Sequence, residues 1–153
     1  MGVKAIPDGY HSITPFLIVE GADKAIDFYI RAFGAVQVYR LEHEGKVAHA
    51  ELRIGDSMIM VSEPMANSVY QDPKSIGGSP VGLMIYVEDA DKVYQQAIMA
   101  GASAIRPVED QFYGDRSGNL QDPFGHLWTI STHVEDVSPD EINRRFEQEY
   151  ARA

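Results

Sequence analysis

Two short stretches carry residue types whose spacing suits chemistry. In Ala48-His49-Ala50-Glu51-Leu52-Arg53-Ile54, polar and apolar residues alternate, so an extended strand would turn His49, Glu51 and Arg53 to one face. An imidazole titrates near neutral pH, and a neighbouring carboxylate lets the pair orient a polar ligand or move a proton. The plainer alternative is a solvated or interface face carrying a cross-strand charge pair. In Gly114-Asp115-Arg116-Ser117-Gly118, an arginine between glycines could aim its planar fork at a carboxylate or phosphate, with Phe112 and Tyr113 as aromatic walls. Its plainer alternative is an exposed turn in which Asp115 and Arg116 are solvated. The other histidines, His11, His43, His126 and His133, fall at strand ends or turns, and His126 is expected to hydrogen-bond locally.

The elements that must position these residues come from a repeat. Residues 19–35, VEGADKAIDFYIRAFGA, and 87–102, VEDADKVYQQAIMAGA, are one passage written twice with a single-residue gap, which predicts two copies of one module. The first copy, 11–63, reads as strand Ser12–Val19, a helix with apolar Ile26, Tyr29, Ile30 and Phe33 ending at Gly34, and strands Val36–His43, Val47–Ile54 and Met58–Ser62. Glu44-Gly45 and Gly55-Asp56 supply the hairpin turns. The second copy, 81–133, reads as strand Val81–Val87, a helix from about Asp89 to Gly101 that buries Val93, Ala97 and Ile98, and strands near Ser103–Val108, Gly118–Gln121 and His126–Thr132. Asp122-Pro123-Phe124-Gly125 joins the last two as a turn.

Residues 64–80 form a polar loop and linker, and Ser138-Pro139-Asp140-Glu141 caps a helix over 138–150. Its Ile142, Phe146 and Tyr150 either pack on their own domain or serve a dimer contact. The expected fold class is α+β: one domain, 1–153, in which two βαβββ modules form a curved mixed-sheet cup, plus a short C-terminal helix. Strand alternation adds Met60, Met84, Tyr86 and Thr129 to the cup, opposite helix-facing Leu83, Ile85 and Val87. Methionines suit irregular apolar ligands as well as ordinary cores.

Composition narrows the partners. The 153 residues are 44% apolar and carry a formal net charge of −10, which opposes nucleic acid and anionic membrane surfaces. No apolar run approaches the roughly 20 residues of a membrane span, and no secretory signal precedes the first strand, so a cytoplasmic protein is expected. With no cysteine, any metal would need His, Asp or Glu.

Two βαβββ units carrying Ile26-Asp27-Phe28-Tyr29 with Phe33-Gly34, and Asp122-Pro123-Phe124-Gly125-His126 before the last strand, resemble the vicinal oxygen chelate superfamily of glyoxalases, bleomycin-resistance proteins and extradiol dioxygenases. His49-Ala50-Glu51-Leu52, Gly55-Asp56-Ser57 and Gly114-Asp115-Arg116 are similar to its PhnB-like branch. The resemblance covers about His11 to Thr132. It implies a divalent metal held by His and Glu on the first and last strands of each module, where it would act as a Lewis acid on vicinal substrate oxygens. Carried over residue by residue, those positions are Thr14, Met60, Gly82 and Thr129, and their immediate neighbours supply no His, Asp or Glu either. No metal or other cofactor is expected, although a site built from His49, Glu51 and a partner chain stays open.

The first reading is therefore a metal-free protein that binds a small anionic or aromatic molecule in its cup through His49, Glu51, Met60, Met84, Tyr86, Tyr113, Arg116 and Thr129. The alternative is a lyase, isomerase or dioxygenase-type enzyme with a relocated metal or a His49/Glu51 acid–base pair. A third is a domain serving mainly protein association. The resemblance also implies a homodimer, with modules paired within one chain or across two.

Overall fold

The computed structural model describes residues 2–153. The first module comprises β1 (Phe16–Ile18), α1 (Ala22–Phe33), β2 (Val36–His43), β3 (Lys46–Ile54) and β4 (Ser57–Ser62). A one-turn helix, α2 (Pro73–Ile76), lies in the connection. The second module comprises β5 (Gly82–Tyr86), α3 (Ala90–Ala100), β6 (Ser103–Asp110), β7 (Asp115–Gln121) and β8 (Leu127–His133), and α4 (Pro139–Tyr150) follows. Each module forms its own four-stranded mixed sheet, in the orders β1-β4-β3-β2 and β5-β8-β7-β6. This is the α+β fold of paired βαβββ modules that the repeat implies. No helix among the described residues is long and apolar enough to cross a membrane.

The registers of the modules correspond. Phe16 lies beside Met60 in the parallel β1–β4 pair, and Met84 lies beside Thr129 in the parallel β5–β8 pair. Both helices begin the same way despite different residues. The N–H of Ala22 donates to the Glu63 carboxylate at 2.6 Å, and the N–H of Ala90 donates to Thr132 Oγ1 at 2.8 Å, each acceptor standing just beyond the last strand pairing of its module or within it. Gly21 is a poor cap by itself, and a carboxylate reaching back from the strand end satisfies the first free amides of α1.

α1 packs on β2, β3 and β4, α3 packs on β6, β7 and β8, and the two helices pack on each other. A single apolar core thus runs through both modules on the helix side. The buried face of α1 is Ala22, Ala25, Ile26, Phe28, Tyr29 and Ala32, whereas Ile30, placed on the apolar stripe by spacing alone, is exposed. The inward face is rotated because Phe28 joins Tyr29, Phe33 and Phe124 in an aromatic cluster.

Asp122 ties the modules at this core. Its buried carboxylate accepts from Tyr29 Oη at 2.6 Å, Trp128 Nε1 at 2.9 Å and the N–H groups of Phe124 and His126 at 2.9 and 3.0 Å. The His126 ring reaches the Ile18 carbonyl, at 3.0 Å, so its bonding is not confined to the turn. α2 is an element that the polar composition of its loop conceals, although Asp72 accepting from the Ser75 N–H and proline at the first turn are ordinary start signals.

Candidate functional site

The predicted site residues fall into two groups on the sheet faces turned away from the helices. On β3, Ala50, Leu52 and Ile54 are buried under α1, so His49, Glu51 and Arg53 emerge on the open face. Met60 lies beside Glu51, with Phe16 beyond it, and Tyr39 lies opposite Glu51 on the other side. The rings of Phe16 and Tyr39 flank His49 at centroid distances of 6.3 and 6.5 Å, and Tyr70 from the connecting loop meets Phe16 at 5.6 Å. The Tyr10 hydroxyl donates to Glu51. Desolvation, reinforced by that bond and by the carboxylate charge, pushes the Tyr10 pKa up to about 12. Glu51 is thus engaged by a tyrosine rather than by His49, which sits among aromatic rings.

The second group lies on the module 2 sheet. Met84 neighbours Thr129, whose hydroxyl accepts from Asn119 Nδ2 at 2.6 Å. Tyr86 Oη donates to Asp115 Oδ2 at 2.7 Å, and Ser131 Oγ donates to the same oxygen at 3.2 Å. His133 bridges two carboxylates, with Nδ1 2.8 Å from Asp115 and Nε2 2.7 Å from Asp136. Tyr86 and Tyr113 line a cavity of ≈ 550 Å³ with Asp115, His133 and Ile142. Ser117, fully buried between Asp115 and Asn119, has no hydrogen-bond partner for its hydroxyl among the described residues.

Burial pushes the Asp115 carboxyl up, but the bonds to His133, Tyr86 and Ser131 outweigh it and hold it below the usual range. Asp136 first and Asp115 second raise the His133 pKa. Because the folded value is the higher one, the tie from His133 to the 134–138 segment is fully formed below the unfolded value of about 6.5 and is lost as pH rises through the folded pKa. An NMR titration should place the His133 midpoint above about 6.5, and Asp136→Asn should lower it. A midpoint at or below that value would contradict the bridge.

Arg116 requires a correction. The sequence places its fork in the cup, but β7 starts at Asp115 rather than near Gly118, so alternation turns Asp115, Ser117 and Asn119 to the open face and Arg116 to the helix side. A Cβ added at Gly118, two residues on, would meet Tyr94 of α3 at 3.0 Å, which marks the same side. The guanidinium of Arg116 donates to Asp91 through Nε at 2.7 Å and Nη2 at 2.9 Å, and to Asp110 through Nη1 at 3.1 Å. Phe112, expected as a wall of the cup, packs on Phe146 of α4 at 5.7 Å instead.

His49, Glu51 and Met60 therefore share one sheet face, while Met84, Tyr86 and Thr129 share the other with Tyr113 at its margin. No strand pairing joins the two sheets among the described residues. Tyr10, Phe16, Tyr39, Tyr70 and Ser131 also belong with these groups, and nothing in the local sequence singles them out; Asp115, expected to be solvated in a turn, and His133, expected at a strand end, join them. The period-two alternation of Asp115, Ser117 and Asn119 was the available signal, hidden by reading Gly114 to Gly118 as a loop.

A metal of the implied kind does not fit. Thr14, Met60, Gly82 and Thr129, the positions that the resemblance implies, offer no carboxylate or imidazole, and no three His, Asp or Glu side chains converge among the described residues.

Paired βαβββ modules, each with a helix on one face of its sheet and the other face open, define the class of fold. The chain belongs to the Glyoxalase/Bleomycin resistance protein/Dioxygenase superfamily, which residues 9–130 match. An uncharacterized protein of Mycobacterium tuberculosis is 41% identical over 135 residues, covering 86% of this chain and 79% of the relative. A gene product of Arabidopsis thaliana superimposes with a TM-score of 0.66 at 28% identity, over 79% of this chain and 98% of its own. The PhnB protein of Bacillus cereus shares the fold, with a TM-score of 0.61 at 20% identity over 80% of this chain and 99% of its own.

Proposed function

We propose that this protein binds a small, aromatic or otherwise planar molecule between open sheet faces, without a metal, as a homodimer. The observation carrying this reading is the character of those faces. Phe16, Tyr39, Met84 and Tyr86 are 41–60% exposed in the single chain, and the two carboxylates beside them, Glu51 and Asp115, are held by tyrosine hydroxyls. Apolar surface of this kind marks interfaces and ligand sites. A second copy would place the His49 group of one chain opposite the Tyr86 group of the other, so each site would draw on both. Glu51 and Asp115, each already bonded to a tyrosine hydroxyl, would then orient the ligand's polar atoms.

The test combines light scattering with calorimetric screening of aromatic compounds in the presence of a chelator. The expected result is twice the chain mass and saturable binding that the chelator leaves intact. Tyr86→Phe should weaken binding by roughly tenfold, the value of one well-placed hydrogen bond at a desolvated site. A concentration-independent monomer would overturn the dimer, and binding that needs stoichiometric metal would overturn the metal-free reading. Product formation lost in His49→Ala or His133→Ala would make the protein an enzyme instead.

A further inference from the structure

The two modules meet along two seams that the repeat makes equivalent, and only one is closed. Matching Phe16 with Met84 and Met60 with Thr129 makes Ile18 the counterpart of Tyr86, and His126 the counterpart of Ser57. On the first seam, the His126 ring caps the Ile18 carbonyl at the outer edge of β1. On the second, Ser57 is too short to do the same, and its hydroxyl turns to Asp56 at 3.0 Å. What remains beside β5 is a cleft of ≈ 830 Å³, with Gly55 to Ser57 across from Tyr86 to Glu88.

Among the described residues β5 pairs with β8 alone. Because the Val87 N–H donates to Ser131 at 2.8 Å, alternation turns the main-chain groups of Ile85 and Val87 toward β8 and those of Met84 and Tyr86 outward. No hydrogen bond to the Met84 or Tyr86 main chain comes from outside the sheet among the described residues. The cleft walls beside this edge are apolar: Ile13, Phe33, Met58, Ile59 and Trp128. Asp56 and Glu88 stand at its rim with His11, neither carboxylate ion-paired among the described residues.

We propose that this cleft, which borders the open sheet face at Met84 and Tyr86, is a second binding site for a short, extended, amide-bearing apolar chain with a neutral or basic end. Its amides pair with the free β5 edge as an added strand would, and its side chains lie against Phe33 and Trp128. The volume suits a ligand of a few residues, and the acidic rim disfavours a terminal carboxylate.

Trp128 is the chain's single tryptophan and lines the cleft, so its emission reports occupancy. The probe is a capped tripeptide, acetyl-valyl-leucyl-valine methylamide, titrated against the full chain, with its backbone N-methylated analogue as control. The capped peptide should shift Trp128 emission saturably and slow amide exchange at Met84 and Tyr86. The N-methylated analogue should bind roughly tenfold more weakly, having lost its donors. Ser57→His, which restores the closed seam, should cost a similar factor while Glu51→Gln costs none. Equal binding of both peptides, no binding of either, or Met84 and Tyr86 amides already protected without peptide would each overturn the site. If Ser57→His fails to fold, the peptide pair and the exchange data decide alone.

Discussion

Asp122→Ala should lower the thermal unfolding midpoint by about 10 °C, a loss of roughly 3–5 kcal/mol for a chain of this length. The carboxylate is 3% exposed and receives four donors from three directions: a tyrosine of α1, the indole at the start of β8, and two amides of its own turn. Alanine leaves the Tyr29 hydroxyl and the Trp128 indole N–H buried without acceptors, the expensive way to break a hydrogen bond. The damage should exceed that of Tyr29→Phe, which removes one donor and leaves the other three paired. Because the join between modules is at stake, Trp128 emission and the helical signal should be lost in one transition. A midpoint within about 2 °C of the parent would show that the turn holds without its carboxylate.

The same residue explains what was legible beforehand. The sequence predicts a turn at Asp122 to Gly125 and a core position for Tyr29 on α1, and both are so. That the two meet across 93 residues is a tertiary fact that no local pattern carries. Repeat, helix starts and most strands could be read because they rest on short-range spacing and caps, as Ser138 accepting from the Glu141 N–H shows at the start of α4. The site was legible only in part. Alternation alone puts His49 and Glu51 on the sheet face away from α1, as the structure has them, because β3 is long and regular. Arg116 was not, because two glycines and a charged pair imitate a turn while the residues are in fact the first of a strand. Extending β7 back from Gly118 to Asp115 decides that Asp115, and not Arg116, turns to the open face.

That boundary also carries the second large effect, Gly114→Ala. Gly114 has φ of +104°, and a Cβ there would lie 2.2 Å from the Glu135 carbonyl oxygen and 3.0 Å from Val137. Both the backbone conformation and the contact exclude a side chain, so the neighbouring segment must move. Its anchors go with it, since the Gly114 carbonyl accepts from the N–H groups of Val134 and Glu135 at 2.9 and 3.0 Å. The cost should be roughly 3 kcal/mol or more, the sum of left-handed strain and a backbone clash. Exchange at Val134 and Glu135 should accelerate well before the core opens. α4, which has no buried residue and is held through Arg145 to Glu135 and to the Phe112 carbonyl, should detach with the segment. Asp136 then leaves His133, the His133 titration midpoint falls, and the Tyr86–Asp115 arrangement loses its outer support. A variant with unchanged exchange at Val134 and Glu135 would mean that the 134–138 segment is fixed by α4 rather than by Gly114, and that α4, not the start of β7, holds the margin of the site.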